Sequence, residues 1–464
     1  MIRFFNTSFP SRTVFLGISE ACLVTFAFLV AMLARLGAND AYIMLNYEQG
    51  FPKIVFVSAA FVLCMYYFDL YDSSVLSNRR EVLTRVIQVL GTVCILLAVL
   101  YYIYPPLQLG RGIFLIGFVL VAVLLLSWRR LFLKLNALPR FADRTLILGE
   151  SELAESLLLE LRSRSELGIH VVGHIRNLEG QSGNLNPSAS EEQRNEILNS
   201  IESYQPDRII VAMGDRRGKL PVDALLNLKG RGIHIQDGPD VYEAVTGKIP
   251  IQSLRLSWLL FSPGFRVARP LMIYKRISSI LFSAVAIILT MPLMILIGLV
   301  IRADSAGSVI FRQKRVGKDG KVFTLYKFRS MVNGADQDDN HRPAERRDSR
   351  FTRLGRVLRR TRLDELPQLF NILRGDMHFV GPRPFVPDQE YECLQKIPYY
   401  RQRWIVKPGA TGWAQVNRGY CATIEDNAEK LAYDLFYIKN ISVGLDLLIL
   451  FKSFKTVLLG RGAR

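Results

Sequence analysis

The segment RLDELPQLFNILRGDMHFVGPRP, residues Arg362–Pro384, places two adjacent carboxylates just before a proline and ends in Pro-Arg-Pro. Proline is tolerated in the first turn of a helix but not in its interior, so a helix is predicted to begin around Asp364–Leu366. The unpaired N–H groups of such a terminus favour a phosphate or an ionised carboxylate. Because neighbouring helical residues point about 100° apart, we expect Asp364 and Glu365 to have different roles.

Many arginines surround this pair. They are Arg356, Arg359, Arg360, Arg362, Arg374 and Arg383. Guanidinium groups can bind phosphoryl oxygens through two parallel hydrogen bonds. An aspartate can then be the nucleophile of a phosphoryl transfer, provided that arginines or Mg²⁺ neutralise the anionic phosphate. The alternative is that the carboxylates only cap a helix and form solvated salt bridges.

The composition indicates a membrane protein with more than one domain. The chain has 464 residues, of which 50% are hydrophobic, and a mean hydropathy of +0.19. The net charge of +18 suits nucleic acid, anionic lipid or phosphorylated substrates. Nucleic acid is disfavoured because the bases are spread around the apolar segments. The five cysteines show no zinc-site spacing, which fits a reducing compartment without structural metal.

Residues 1–140 are predicted to form a four-helix transmembrane bundle. The four apolar stretches, each close to the about 20 residues that cross a bilayer, are Val14–Ala34, Ile54–Leu70, Val86–Tyr104 and Ile113–Leu133. Basic residues flank their predicted inner ends, including Arg129 and Arg130, whereas the first outer loop has none. The positive-inside rule therefore places both the amino terminus and everything after Arg140 in the cytoplasm. No cleavable signal peptide is evident.

Residues 141–257 are predicted to form a degenerate Rossmann-like cytoplasmic domain, with RTLILG and DRIIVAM as buried strands. The turn after the first strand, GESELAES, has Glu150, Ser151 and Glu152 where a dinucleotide fingerprint needs glycines. Acidic side chains there would repel a pyrophosphate. We therefore expect no NAD in this domain and assign it a structural or regulatory role.

Residues 258–464 form the third region, in which an apolar segment, Ile277–Ile301, has basic residues on both sides. A simple span would place one basic flank on the outer face, whereas a re-entrant segment keeps both inside. Pro292 is the predicted break of a helix-break-helix, with Thr290 available to satisfy a freed carbonyl. The alternative is an ordinary span with a tolerated proline.

Two later stretches have the composition of interfacial segments. KIPYYRQRW, residues Lys396–Trp404, interleaves bases with aromatic residues, and an apolar helix near the carboxyl end carries Lys452 and Lys455. A buried core helix is the alternative interpretation of the second.

Four motifs occur together in the third region. They are FRQKRVGKDGKVFTLYKFRSM (Phe311–Met331), LDELPQLFNILRGDMHFVGPRP (Leu363–Pro384), KPGATGWAQVN (Lys407–Asn417) and YDLFYIKN (Tyr433–Asn440). In this order they resemble the bacterial sugar transferases of the monotopic phosphoglycosyl transferase superfamily. The whole chain resembles the large form, the polyprenyl glycosylphosphotransferases of exopolysaccharide assembly, and its middle domain is most similar to the exosortase-associated, EpsB-like sugar transferases.

The resemblance implies a ping-pong reaction at the bacterial inner membrane. Asp364 would attack the β-phosphorus of a UDP-sugar, release UMP and carry the phosphosugar until undecaprenyl phosphate accepts it. Glu365, with Asp364, would help to hold Mg²⁺. A homodimer in the membrane lipid is also expected, and the sugar stays open.

The resemblance also implies further site residues. Arg359 matches a phosphate-binding arginine, and Pro382, Arg383 and Pro384 match the uridine-side motif. Asp434, Lys327 and Arg329 are further candidates. The chain departs from the family pattern at His378, where serine is usual, and at Ser279, where aspartate is usual.

Two rival functions remain at this stage. A metal-dependent glycosyltransferase would need a DxD motif, which DQDDN (Asp336–Asn340) offers in a polar, charge-rich stretch. Such an enzyme would release UDP rather than UMP. The other rival is a membrane scaffold for polysaccharide assembly without catalytic activity.

Overall fold

The computed structural model describes residues 2–4, 7–72, 75, 79–136, 142–164, 167–176, 198–214, 220–254, 256–262, 264–265, 268–332, 350–418 and 423–458. The DQDDN motif lies outside these residues. The protein is mostly helical and divides into two compact units, which contain residues 9–238 and residues 239–464. Two short strands, β1 (Ile2–Phe4) and β2 (Thr7–Phe9), precede the first helix.

The first unit begins with four long apolar helices. They are α1 (Ser11–Tyr47), α2 (Gly50–Tyr67), α3 (Arg79–Ile103) and α4 (Arg111–Asn136). Each overlaps one of the predicted spans and is long and apolar enough to cross a membrane, although α2 ends three residues before Leu70 and α3 ends one residue before Tyr104. Within α1, Gly37 has φ 80° and ψ 176°, which is not helical. The first predicted span therefore corresponds to the part of α1 before Gly37.

Residues from all four helices share one hydrophobic cluster, which includes Phe28, Phe61, Val93 and Val121. A buried ion pair lies beside it. Arg129 Nε is 2.6 Å from Glu20 Oε1, and both side chains are almost completely buried. Arg129 was counted among the cytoplasmic bases in the sequence analysis, but α4 continues to Asn136 and turns this arginine inward. Glu20 was not singled out there.

The rest of the first unit contains a parallel sheet with the strand order β4-β3-β5-β6. The strands are β3 (Asp143–Leu148), β4 (Ile169–Ile175), β5 (Arg208–Val211) and β6 (His234–Asp237). The helices are α5 (Glu152–Ser163) and α6 (Val222–Gly230). This small sheet is the Rossmann-like element that the buried strands predict.

The turn after β3 is determined by packing. Gly149 has φ +113°, and a Cβ on it would come within 2.9 Å of the Met213 backbone. Ser151 caps α5 by accepting a hydrogen bond from Ala154 N, and its hydroxyl donates to Ala212 O. Glu152 lies in the first turn of α5. The glycine is thus needed for close contact with the neighbouring strand end, and the helix terminus already has a cap.

The second unit starts before the sequence-based boundary at residue 257. Ile249 N donates to Ala432 O, and Trp413 Nε1 donates to Gly247 O. Ile251 and Leu254 belong to the same hydrophobic cluster as Trp413. The segment 239–254 therefore packs on the carboxyl-terminal unit through apolar contacts that sequence periodicity does not reveal.

The described part of the second unit contains nine α-helices and four strands. The helices are α7 (Gly238–Thr246), α8 (Leu256–Phe261), α9 (Arg269–Asp304), α10 (Arg353–Arg360), α11 (Gln368–Arg374), α12 (Pro387–Lys396), α13 (Trp413–Asn417), α14 (Ile424–Lys439) and α15 (Val443–Leu458). The strands are an antiparallel hairpin, β7 (Ile310–Val316) and β8 (Val322–Phe328), and a parallel pair, β9 (His378–Val380) and β10 (Gly409–Thr411).

Helix α9 is the fifth helix long and apolar enough to cross a membrane. Pro292 lies inside this single helix of 36 residues, whereas the sequence predicts two helices separated by a break. Proline removes one helical hydrogen bond, which a continuous helix can tolerate with a kink. Thr290 Oγ1 bonds to Ala286 O, 2.7 Å away, and not to the carbonyl of residue 288 that the proline leaves without its partner.

Candidate active site

The carboxylate pair lies in a tight turn at the start of α11. Residues Leu363–Glu365 form one turn of 3-10 helix, and α11 follows directly after Leu366 and Pro367. The helix that the proline predicts is therefore present, although its α-helical part starts at Gln368, two to four residues later than predicted. Arg362, just before the pair, has a left-handed backbone with φ 55°. Such a conformation is strained in an arginine, so the surrounding structure must hold it.

Helix α11 is attached to the β7–β8 hairpin by one buried side chain. Asn371 Oδ1 accepts from Tyr326 N at 3.0 Å, and Asn371 Nδ2 donates to Thr324 O at 2.7 Å. Both hydrogen bonds join the helix to β8. The hairpin residues that point toward the carboxylates are held in register by these contacts.

Asp364 is a buried carboxylate, with 7% of its surface exposed. Burial is the main cause that raises the pKa of Asp364, and the negative charge of Glu365 adds to it. Lys327, Arg359 and Arg383 act in the opposite direction without fully offsetting the rise. A carboxylate that is poorly solvated and lies among cations has the properties expected of a nucleophile.

Glu365 is in a different electrostatic state. Its Oε1 accepts a hydrogen bond from Arg383 Nη2 at 2.9 Å and lies 3.6 Å from Lys327 Nζ. Its Oε2 lies 3.8 Å from Arg362 Nη1. Burial alone would raise the pKa of Glu365, but these three bases outweigh it and the pKa lies well below its usual range. The adjacent carboxylates therefore differ in character, as their different directions in the turn predict.

A small cavity lies beside Glu365. It is lined by Arg315, Leu325, Lys327, Gln368, Arg383, Pro384 and Gly409. Burial and the neighbouring Arg383 lower the pKa of Arg315 to about 10. Burial also lowers the pKa of Lys327. The three basic side chains are thus crowded into a partly buried site, where an added anion would be stabilised.

The Pro-Arg-Pro segment is held in this cavity wall by backbone contacts. Gly409 N donates to Pro382 O, and Arg315 Nη1 donates to Pro384 O, each at 3.0 Å. A Cβ on Gly409 would lie 2.1 Å from Gly381 N, so only glycine allows this approach. The two motifs KPGATG and GPRP are therefore adjacent for a steric reason.

Asp434 lies behind the site rather than in it. Arg403 Nε donates to Asp434 Oδ2 at 2.7 Å, Arg403 Nη1 lies 3.2 Å from Glu390 Oε2, and Arg403 Nη2 donates to the Arg383 carbonyl. All three ionic side chains are buried. Asp434 therefore positions Arg403, which in turn supports the backbone of Arg383.

The sequence alone does not reveal this buried network. The segment Lys396–Trp404 was predicted to be interfacial, yet Tyr400 and Arg403 are buried in the second unit. Trp404 Nε1 donates to Glu390 Oε1. Mixed basic and aromatic composition is shared by membrane interfaces and by buried cation networks, so composition alone could not separate them.

The two remaining candidate site residues, Arg359 and Arg329, lie in different places. Arg359 packs its guanidinium over the Phe351 ring, 4.5 Å from the centroid, and its charge lowers the pKa of Asp364. Arg329 is not at the carboxylates: it donates to Ser305 O and Ala306 O just after the end of α9. Arg329 therefore caps the carboxyl end of α9, a structural role.

Ser279 and His378, which both depart from the family pattern, contact each other. Ser279 Oγ lies 3.1 Å from His378 Nδ1, and both residues are buried. Burial, followed by the nearby Lys275 and Lys407, lowers the pKa of His378 to about 3. A neutral histidine thus joins α9 to β9, just before Pro-Arg-Pro.

Asp364 and Glu365 offer two carboxylates that could bind a metal ion. No group of three or more His, Cys, Asp or Glu side chains that could hold an ion occurs among the described residues. Mg²⁺ sites on phosphate substrates commonly use one or two carboxylates, with water and phosphate oxygens as the other ligands. The pair fits this pattern, and the 3.8 Å separation from Arg362 leaves Glu365 Oε2 able to accept a metal.

Comparison with known proteins gives the family. Residues 271–460 match the bacterial sugar transferase family, and residues 66–221 match a family described as a CoA-binding domain. A UDP-glucose:undecaprenyl-phosphate glucose-1-phosphate transferase of Klebsiella pneumoniae is 33% identical over 346 residues, which cover 72% of this chain and 71% of that protein. The chain belongs to the bacterial sugar transferase family.

Other members of this family are also similar. A UDP-N-acetylgalactosamine-undecaprenyl-phosphate N-acetylgalactosaminephosphotransferase of Aeromonas hydrophila is 43% identical over 227 residues, covering 48% of this chain and 52% of that protein. An undecaprenyl-phosphate glucose phosphotransferase of Komagataeibacter xylinus is 32% identical, covering 70% and 60%. The chain thus aligns with about half of the Aeromonas sugar transferase and with more of the other two.

Proposed function

We propose that this bacterial sugar transferase moves a sugar-1-phosphate from a UDP-sugar to undecaprenyl phosphate and releases UMP. The observation that supports it most is the environment of Asp364: a buried carboxylate of raised pKa beside Lys327, Arg359 and Arg383. The three relatives are all named as transferases that act on undecaprenyl phosphate.

In the first half-reaction, a carboxylate oxygen of Asp364 attacks the β-phosphorus of the UDP-sugar. The bond between the β-phosphorus and the bridging oxygen breaks, and UMP leaves with the electron pair. Lys327 and Arg383 lie where they can stabilise the charge that develops on the phosphoryl oxygens. Mg²⁺ held by Glu365 and Asp364 would supply further neutralisation of the diphosphate.

In the second half-reaction, a phosphate oxygen of undecaprenyl phosphate attacks the same phosphorus. The acyl-phosphate bond breaks, and Asp364 regains its carboxylate. The product is the undecaprenyl-diphosphate-sugar, whose formation is the first membrane step of exopolysaccharide or glycoconjugate assembly. Covalent catalysis of this kind divides one difficult transfer into two easier ones.

Product identity tests this reaction against glycosyl transfer. The full-length protein in lipid nanodiscs is given Mg²⁺, undecaprenyl phosphate and each of a panel of UDP-sugars. We expect one UMP for each lipid-linked product, with one or a few preferred sugars. Release of UDP would contradict phosphosugar transfer, and no turnover with any sugar would favour the scaffold.

We propose a re-entrant topology for α9, because both its ends pack on the same body. Arg276 near its start donates to Ile372 O and Leu373 O. Ile301 near its end packs in one cluster with Phe328. The helix face between these ends carries exposed apolar side chains, including Leu289 and Leu299. Such a helix would enter the lipid from the cytoplasmic side, and both of its ends would stay on that side of the membrane.

Helix α15 supports contact between the second unit and a membrane surface. Leu445 and Ile449 are buried in the second unit, while Leu447 and Phe454 are 58% exposed. One apolar face is thus covered by protein and the other faces outward, which is typical of a helix at a membrane surface. We place the catalytic unit on the cytoplasmic face of the bacterial inner membrane.

Cysteine accessibility tests this topology. Ala268 and Ala303 are both exposed at the two ends of α9, so each can be changed to cysteine in a cysteine-free chain. In spheroplasts, a membrane-impermeant maleimide should label neither position until the membrane is permeabilised. Pro106→Cys, in the predicted outer loop between α3 and α4, is the control that should label at once. Labelling of Ala268→Cys and Ala303→Cys from opposite sides would show that α9 is a simple span.

For the Rossmann-like domain we propose self-association rather than NAD binding. The acidic, already capped turn at Gly149 disfavours a pyrophosphate. We expect homodimers of the full-length protein in native-like lipid particles and no saturable binding of radiolabelled NAD. Mass photometry that finds only monomers would contradict the first expectation. Tight, saturable NAD binding by the full-length protein would contradict the second.

A further inference from the structure

The cavity beside Glu365 contains a buried amide that none of the described groups satisfies. Gln368, in the first turn of α11, is 3% exposed and lines this cavity. Its Nε2 has no hydrogen-bond partner among the described residues. Buried amide donors are nearly always paired, so an unpaired one at a cavity wall is available to an acceptor that enters the cavity.

The charges around this amide define the kind of acceptor that fits. Arg315, Lys327 and Arg383 line the same small cavity. Glu365 is the carboxylate paired with two of these bases. Arg315 Nη1 already donates to Pro384 O. Among the described residues, however, no carboxylate lies within hydrogen-bond distance of the Arg315 guanidinium. The wall therefore has surplus positive charge as well as an unpaired N–H donor.

The lining also discriminates between the parts of a nucleotide. The seven lining residues include no aromatic side chain on which a uracil ring could stack. Phosphoryl oxygens are anionic acceptors, so they can bind both the amide donor and the basic side chains. The chemistry of the cavity thus favours the diphosphate over the uracil.

We propose that Gln368 Nε2 donates a hydrogen bond to a phosphoryl oxygen of the nucleotide diphosphate, with Arg315 as the adjacent cation. Gln368 is then a substrate-binding residue that fixes the phosphorus for attack by Asp364. The inference rests on the proposed function for the identity of its ligand, but the subsite itself rests on the amide and the bases. Neither Gln368 nor Arg315 was singled out from the sequence.

Binding of UDP to the full-length protein tests this subsite without turnover. Gln368→Met keeps the length of the side chain but removes the donor, and Gln368→Glu replaces the donor with a negative charge. We expect calorimetry to show UDP binding weakened about 10- to 100-fold in Gln368→Met, the value of one hydrogen bond to a charged group. Gln368→Glu should weaken it further. Gln395→Met and Gln395→Glu, at an exposed position of α12, are the matched controls and should bind as wild type.

Two further measurements separate the alternatives. Uridine, used as a competitor of UDP, should lose little affinity in Gln368→Met, because it has no phosphate. An equal loss for uridine and UDP would overturn the phosphate assignment. Unchanged UDP affinity with a lowered melting temperature would show that Gln368 is only structural. Wild-type protein that binds UDP in a Gln368-dependent way but never releases UMP would leave the subsite intact and refute the proposed reaction instead.

Discussion

Asp364→Asn is expected to lower turnover by about 10³-fold or more while leaving the protein folded, because the amide lacks the attacking carboxylate. Asparagine has nearly the same volume, so the packing of the turn Leu363–Glu365 is retained. Steady-state UMP release in nanodiscs measures the effect. Asp388→Asn, an exposed carboxylate in the first turn of α12, is the matched control and should retain full activity.

The stability of this variant is part of the same prediction. The folded-state pKa of Asp364 is raised, so its ionised form is disfavoured by folding and costs stability at neutral pH. Asp364→Asn should therefore melt at the same temperature as the wild type or higher. The pKa of Glu365 is lowered, so its charge stabilises the fold above its unfolded pKa, and that contribution is lost as the pH falls.

Glu365→Gln should consequently melt lower than the wild type at pH 7, and its activity should show an altered Mg²⁺ dependence. Shifts of the melting temperature in opposite directions for the two variants would show that the two adjacent carboxylates have different roles. An Asp364→Asn protein with near-normal turnover would remove this residue from the chemistry.

Arg403→Met is expected to lower the free energy of unfolding by about 3–5 kcal/mol, since it leaves two buried carboxylates without their cation. Glu390 and Asp434 are 1% and 2% exposed, so water cannot replace the arginine. The change also removes the donor to the Arg383 carbonyl, so UDP-sugar binding should weaken in whatever folded protein remains.

Denaturant unfolding in detergent, followed by tryptophan fluorescence, measures this loss. Arg401→Met is the control, because Arg401 is two residues away and exposed, and its substitution should cost less than about 1 kcal/mol. A similar small loss in both variants would mean that the Arg403 network contributes little to stability. Asp434→Asn should fall between the two, since it leaves Glu390 to pair with Arg403.

Part of this architecture could be predicted from sequence because it follows from local patterns. Apolar runs of about 20 residues locate the four amino-terminal helices, and a proline at residue 367 locates the start of α11. Short buried strands predict the parallel sheet, whose order in the structure is β4-β3-β5-β6. These signals need only a few neighbouring residues.

The remaining features depend on contacts between distant residues. Arg329 and Lys327 are two positions apart in one motif, yet only Lys327 lies at Glu365, because Arg329 follows the end of β8 and caps α9. Gln368 is adjacent to the predicted site but shows no distinctive spacing, and its significance comes from burial without a partner. The helix α9 also continues through Pro292, which a rule based on proline as a helix breaker does not predict.

The covalent intermediate is the central claim, and one measurement tests it most directly. Wild-type protein is incubated with Mg²⁺ and its preferred UDP-sugar, radiolabelled in the sugar, without any lipid acceptor. The proposed mechanism predicts release of up to about one UMP per active site, label on Asp364 after acid quench and peptide mapping, and discharge of that label into lipid when undecaprenyl phosphate is added. If UMP appears only in the presence of acceptor and no label reaches the protein under conditions that trap acyl-phosphates, transfer is direct and Asp364 is not the nucleophile.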